Sequence, residues 1–182
     1  MEAQTATTTT WVIDPAHSEV QFKIKHLVIS TVTGSFGKFD GQLETVGDDF
    51  VDAKISFSAD IDSISTNQEQ RDTHLKSAEF FDAVTYPKLT FSSTSITKTG
   101  DDTYALVGDL TIRDVTKPVT LKAEYGGQMQ DFYGQTKAGF ELTGTIKRKE
   151  FGLTWDGITE AGGVVVSDDV KLVMNIQVTK QG

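Results

Sequence analysis

Cysteine is absent from the 182-residue chain. That excludes thiolate catalysis, disulfide staples and cysteine-ligated metal centres. Basic charge is scarce: 17 Lys and Arg stand against 26 Asp and Glu, a net charge of −9. Phosphate backbones are held by basic stripes and none is visible, so no nucleic-acid partner is expected. The same sign disfavours anionic membrane surfaces. No apolar run approaches the roughly 18 residues of a membrane helix, so no integral membrane segment is expected. The nucleophile-elbow pattern G-x-S-x-G, phosphate loops and dinucleotide fingerprints are also missing. Residues 1–10, MEAQTATTTT, lack the basic and apolar regions of an intact signal peptide and read as a disordered polar tail. A cytoplasmic location is expected; the alternative is a periplasmic or secreted protein whose signal has been removed.

What the sequence does have is alternation. Val20, Phe22 and Ile24 alternate with polar residues over Glu19–His26, as do Ile55, Phe57 and Ala59 over Ala53–Ile61. The pattern returns in the segments carrying Leu89 and Phe91, Leu106–Ile112, Val119–Tyr125, Ala138–Ile146 and Val170–Val178. Gly34–Val46 is a weaker, glycine-broken strand with Phe36, Phe39 and Leu43. Eight one-sided strands result, separated by turn-forming clusters such as Thr99–Asp102 and Gly126–Gly127. A sandwich and a closed barrel both hide one face of such a sheet. The barrel is favoured because several strands are long, because Gly41, Gly108, Gly139 and Gly144 fall inside strands where corners need bending, and because only one helix is available as cover. Residues 11–182 thus read as a single all-β domain, an eight-stranded antiparallel barrel. Small residues at inward parity (Ala59, Ser93, Gly108, Ala123, Ala138, Gly144) reduce the bulk inside it. Periodicity alone leaves a cavity and a solid core both open.

The helix is expected at about residues 67–78. Thr66–Glu69 has the form of a capping box, and Leu75, Ala78 and Phe81 fall on one side, facing the end of the barrel. Its polar residues raise the question of catalysis. Three histidines, His17, His26 and His74, could serve a metal- or histidine-dependent hydrolase, but no two share a ligand-presenting spacing. Arg71 and Asp72 read either as fasteners of the helix or as a polar gate for a headgroup, and His74 as a cap residue on local backbone or carboxylate. Glu79 and Asp82 resemble a glycosidase carboxylate pair only by spacing; two acids beside a helix end are ordinarily solvated.

Several stretches, in order, carry a family resemblance. WVIDPAHSEVQFKIKH (Trp11–His26), GSFGKFDG (Gly34–Gly41), QRDTHLKSAEFFD (Gln70–Asp82), YPKLTFSST (Tyr86–Thr94), GDLTIRDVTKPVTL (Gly108–Leu121), RKEFGLTW (Arg148–Trp155) and VKLVMNIQV (Val170–Val178) are similar to the successive signatures of the YceI family. The resemblance implies a lipocalin-like barrel holding an extended polyisoprenoid lipid, of quinone or prenyl-phosphate type, in a hydrophobic tunnel, or in some members a fatty-acid derivative. It implies a carrier or store, with no enzymatic activity and no catalytic cofactor, and with homodimers in the family. On this reading the tunnel wall comprises Phe22, Ile24, Phe36, Leu43, Ile55, Phe57, Phe91, Leu106, Leu110, Phe140, Leu142, Leu172, Met174 and Ile176, and the headgroup or gate residues are Arg71, His74 and Trp155.

Overall fold

The computed structural model describes residues 8–26, 29–46, 50–153 and 166–181. Its strands are β1 (Thr8–Ile13), β2 (Glu19–His26), β3 (Ser30–Phe36), β4 (Phe39–Val46), β5 (Lys54–Asp60), β6 (Ile64–Ser65), β7 (Lys88–Lys98), β8 (Thr103–Ile112), β9 (Val115–Gln130), β10 (Thr136–Lys147) and β11 (Val166–Lys180). Every pairing is antiparallel. The order β1-β4-β5-β7-β8-β9-β10-β11 closes on itself through β1 and β11. The result is a closed eight-stranded barrel.

Three further strands prolong the staves of this barrel. β1 and β2 both run along β11; β3 extends β4, and β6 extends β5. The eight strands legible in the sequence therefore correspond to eight staves, but the first three staves are bent. Gly34–Val46 is two strands, not one: Gly37 and Lys38 break it. Short 3-10 turns at Pro15–His17 and Ile61–Ser63 break the first and third staves. The second and third breaks are stitched together by Gly37 N donating to Ser63 O at 3.0 Å and Asp60 N donating to Lys38 O at 2.9 Å. Bending adjacent staves together lets a small barrel turn a corner while keeping its backbone groups paired.

The polar tail ends earlier than the sequence suggests. Thr8, Thr9 and Thr10 pair with Val46, Thr45 and Glu44 of β4. Threonine is β-branched and sits well on a pleated surface, but a run without apolar residues carries no alternation to read.

The helix α1 (Glu69–Lys76) is shorter than expected, and the capping box does not form. Asn67 takes a left-handed φ of 62° and turns the chain, which makes Gln68 the N-cap, without a side-chain capping bond. Thr66 instead gives its amide and hydroxyl to Asp72 Oδ1, at 2.8 and 2.6 Å. Arg71 donates to Thr66 Oγ1 at 2.7 Å and Thr66 O at 2.9 Å. Both charges therefore fasten the helix to the end of β6. Helical spacing stops at Ser77, whose hydroxyl donates to His74 O. Ala78 is consequently exposed, and Phe80 is buried in its place beside the half-buried Leu75 and Phe81.

Inward glycines do not simply leave space. The Phe91 ring covers Gly108 and Leu121 covers Gly144, so close that an added Cβ would fall 2.4 Å and 2.5 Å away. Gly34 carries the Phe22 ring in the same way. Large side chains reach over the facing strand's glycine, an arrangement that pins register.

Candidate functional site

An apolar cavity of about 600 Å³ occupies the barrel. It falls within the usual range for ligand sites, ~300–1,000 Å³. Cavity rather than solid core is thus the outcome that periodicity left open. All fourteen residues assigned to the tunnel wall in the sequence border it. Their common side follows from period-two alternation on strands whose register is fixed by closure. Arg71 and His74 border it as well, whereas Trp155 lies outside the described residues.

The two ends differ. In a barrel with nearest-neighbour connections, alternate connections share an end. The β6–β7 connection carrying α1 therefore lies with the β8–β9 turn and the β10–β11 connection. Leu75, Phe80 and Phe81 lean onto the apolar interior here, with Phe81 edge-on to Phe36 at 6.3 Å. The rim is polar: Thr66, Gln68, Gln70, Arg71 and His74 all border the opening. His74 Nε2 is hydrogen-bonded to Glu79 Oε2, and its ring stands edge-on to Phe80 at 5.0 Å. Arg148 is buried at the same end. Its guanidinium donates to Ser167 O at 2.8 Å, Leu153 O at 2.7 Å and Val166 O at 3.0 Å, joining the start of β11 to the turn after β10.

At the other end the cavity meets a cluster of four aromatic rings. Phe50, from the β4–β5 connection, stands against Phe140 at 4.9 Å, Tyr125 at 5.4 Å and Trp11 at 5.7 Å. Burial pushes the Tyr125 phenol above its usual pKa, outweighing a lowering hydrogen bond from Gln128. Trp11 Nε1 is buried with no acceptor among the described residues. Phe50 was missed in the sequence because it lies in a connection between strands, with no periodicity to give it a direction.

His17 and His74 are each held by a separate local carboxylate. His17 sits at the β1–β2 bend on Asp14, at 2.8 Å, and its side chain is 63% exposed. His74, on α1, is hydrogen-bonded to Glu79. The His26 side chain is outside the described residues. Among the described residues no cluster of three His, Cys, Asp or Glu is close enough to hold a metal ion, and no helix is long and apolar enough to cross a membrane.

Comparison with known proteins agrees with this architecture. A UPF0312 protein of Pectobacterium atrosepticum is 40% identical over 165 residues, covering 91% of this chain and 82% of its own length. Burkholderia cenocepacia BcnA shares the fold with a TM-score of 0.79 at 23% identity, over 91% of this chain and 98% of that one. A structure described as a polyisoprenoid binding domain from Saccharophagus degradans aligns with a TM-score of 0.68 at 15% identity, over 92% and 97% of the two chains. Residues 11–178 match the YceI-like domain, and the chain belongs to that family.

Proposed function

We propose that the protein binds a polyisoprenoid lipid in its barrel and carries or stores it without chemical change. One observation supports this above the others: a large, almost wholly apolar cavity has its arginines and histidine, Arg71, His74 and Arg148, at one end. A prenyl chain has no hydrogen-bonding groups, so its affinity must come from apolar area, at about 25 cal/mol per Å² removed from water. Specificity then falls to the mouth.

The mouth favours a neutral carbonyl-bearing headgroup of quinone type over a prenyl diphosphate. It offers two glutamine amides and two guanidiniums, with two donors of Arg71 already engaged by Thr66 and three of Arg148 by main-chain carbonyls. A diphosphate would bring several negative charges to a protein of net charge −9. Homodimerisation, as in other members of the family, would leave this mode of binding unchanged.

Mass spectrometry of an organic extract of the purified protein tests the reading. An isoprenoid quinone is the expected result. A prenyl phosphate would overturn the headgroup assignment, and a fatty-acid derivative would overturn the prenyl assignment. Phe57→Arg, which puts a charge on the cavity wall, is expected to abolish recovery of the lipid while the barrel stays folded. Unchanged recovery would mean that the lipid is held elsewhere.

A further inference from the structure

We infer that Phe50 is the floor of the cavity and sets the longest prenyl chain the protein accommodates in full. This rests on the lipid-binding reading above and adds to it the residue that measures the chain. Phe50 and Phe140 border the cavity; Trp11 and Tyr125 pack against the Phe50 ring without bordering it. Phe50 is only 6% exposed, so the ring fills the barrel end and does not hang at its rim.

Its backbone is held as firmly as its ring. Asp52 N donates to Ile96 O at 3.2 Å, and Ala53 N closes a turn onto Phe50 O at 3.2 Å. Ser93 Oγ accepts from Ile55 N at 2.8 Å and donates to Ala53 O at 3.2 Å. Of the four rings, Phe50 is the one carried by a connection; the other three belong to strands of the barrel. Removing it leaves the strand ladders intact.

The depth can be worked from β11, which borders the cavity from Val166 to Val178. Twelve rises of about 3.3 Å, inclined by about 40°, give a depth of about 30 Å. A trans isoprene unit advances about 5 Å, so about six units fit between mouth and floor. Each unit that enters replaces water contact by apolar contact, and affinity should rise about tenfold or more per unit. A unit that meets the Phe50 ring gains nothing. Ring centroids behind Phe50 lie 5.4 and 5.7 Å from it, about the length of one isoprene unit. Deleting the ring therefore deepens the cavity by about one unit.

The test is a competition series of all-trans prenols from farnesol to solanesol against dansylated farnesol, using delipidated full-length protein. For the unaltered protein, affinity is expected to climb with chain length and level near six units. Phe50→Ala is expected to move the levelling point outward by about one unit, tightening the next longer prenol about tenfold. Phe50→Trp, which deletes no packing, is expected to move it inward, and this variant decides the matter if Phe50→Ala fails to fold. A levelling point unmoved in the folded variants overturns the role of Phe50 and leaves lipid binding standing. Failure of the unaltered protein to bind any prenol overturns lipid binding itself.

Discussion

Gly34→Ala tests how the barrel keeps its interior open. Gly34 is directly opposite Phe22 in the β2–β3 register, and the ring lies over it. A Cβ at Gly34 would fall 2.2 Å from Phe22 Cζ and 2.6 and 2.7 Å from its two Cε atoms. The three nearest atoms all belong to that ring, so the closest conflict is with one side chain. The ring must swing inward, toward the cavity it already borders. Overpacking of this kind costs about 1–3 kcal/mol. In a background carrying Phe22→Leu, whose flexible side chain can turn aside, the same Gly34→Ala change should be neutral, or stabilising by about 0.5 kcal/mol through reduced unfolded-state freedom. Equilibrium urea unfolding of the four delipidated proteins gives the coupling directly, with an unchanged slope required for the comparison. Delipidation matters because a ligand that binds only the folded form would mask the difference. A coupling below about 0.5 kcal/mol would refute the reasoning, for the two changes would then be independent.

Two other outcomes concern the buried Arg148 and the bend of the first stave. Arg148→Met leaves three carbonyls without their donor and should cost about 3–5 kcal/mol, lowering the midpoint of thermal unfolding by about 10 °C; a change under about 1 kcal/mol would show that those carbonyls find other donors. The His17 hydrogen bond, followed by those of Lys137 and the Ala16 amide, outweighs desolvation and holds the Asp14 carboxyl below its ordinary 3.8. Because its folded pKa is depressed, its contribution is present above pH 3.8 and is lost as pH falls through the folded value. Acid titration of stability should accordingly be shallower below that point for Asp14→Asn than for the unaltered protein.

Most of the barrel wall could be read from the sequence, for a reason particular to closed barrels. Along β8 and β10 the large inward side chains border the cavity, and closure forbids a slip in either strand. Legibility fails where local geometry overrides period two. The bends at Pro15–His17 and Gly37–Lys38 and the turn at Ile61–Ser63 are only two or three residues long, too short to show a period, so nothing in them marks a continuing stave. The capping box failed because Glu69 and Asp72 offer equivalent carboxylates one turn apart, and Asn67 decides between them by its left-handed turn. Phe50 was hidden for the opposite reason: a single ring in a connection has no pattern, and its direction comes from three partners distant in sequence.

The seam at which the ring closes has a kinetic consequence. Every other pair of adjacent staves is joined by a connection within the chain, so those contacts can form locally. The first and last staves meet across nearly the whole sequence: Trp11 pairs with Lys180, and Gln181 N reaches Thr10 O at 2.8 Å. Loop closure entropy is greatest for this one seam. A curled but still open sheet is the natural precursor, with β1 and β2 along one unpaired edge and β11 along the other. Joining Thr10 to Gln181 by a short linker, and opening the chain at the Thr99–Asp102 turn, would shift that burden to another seam. Such a permuted chain should reach the same barrel along a different route.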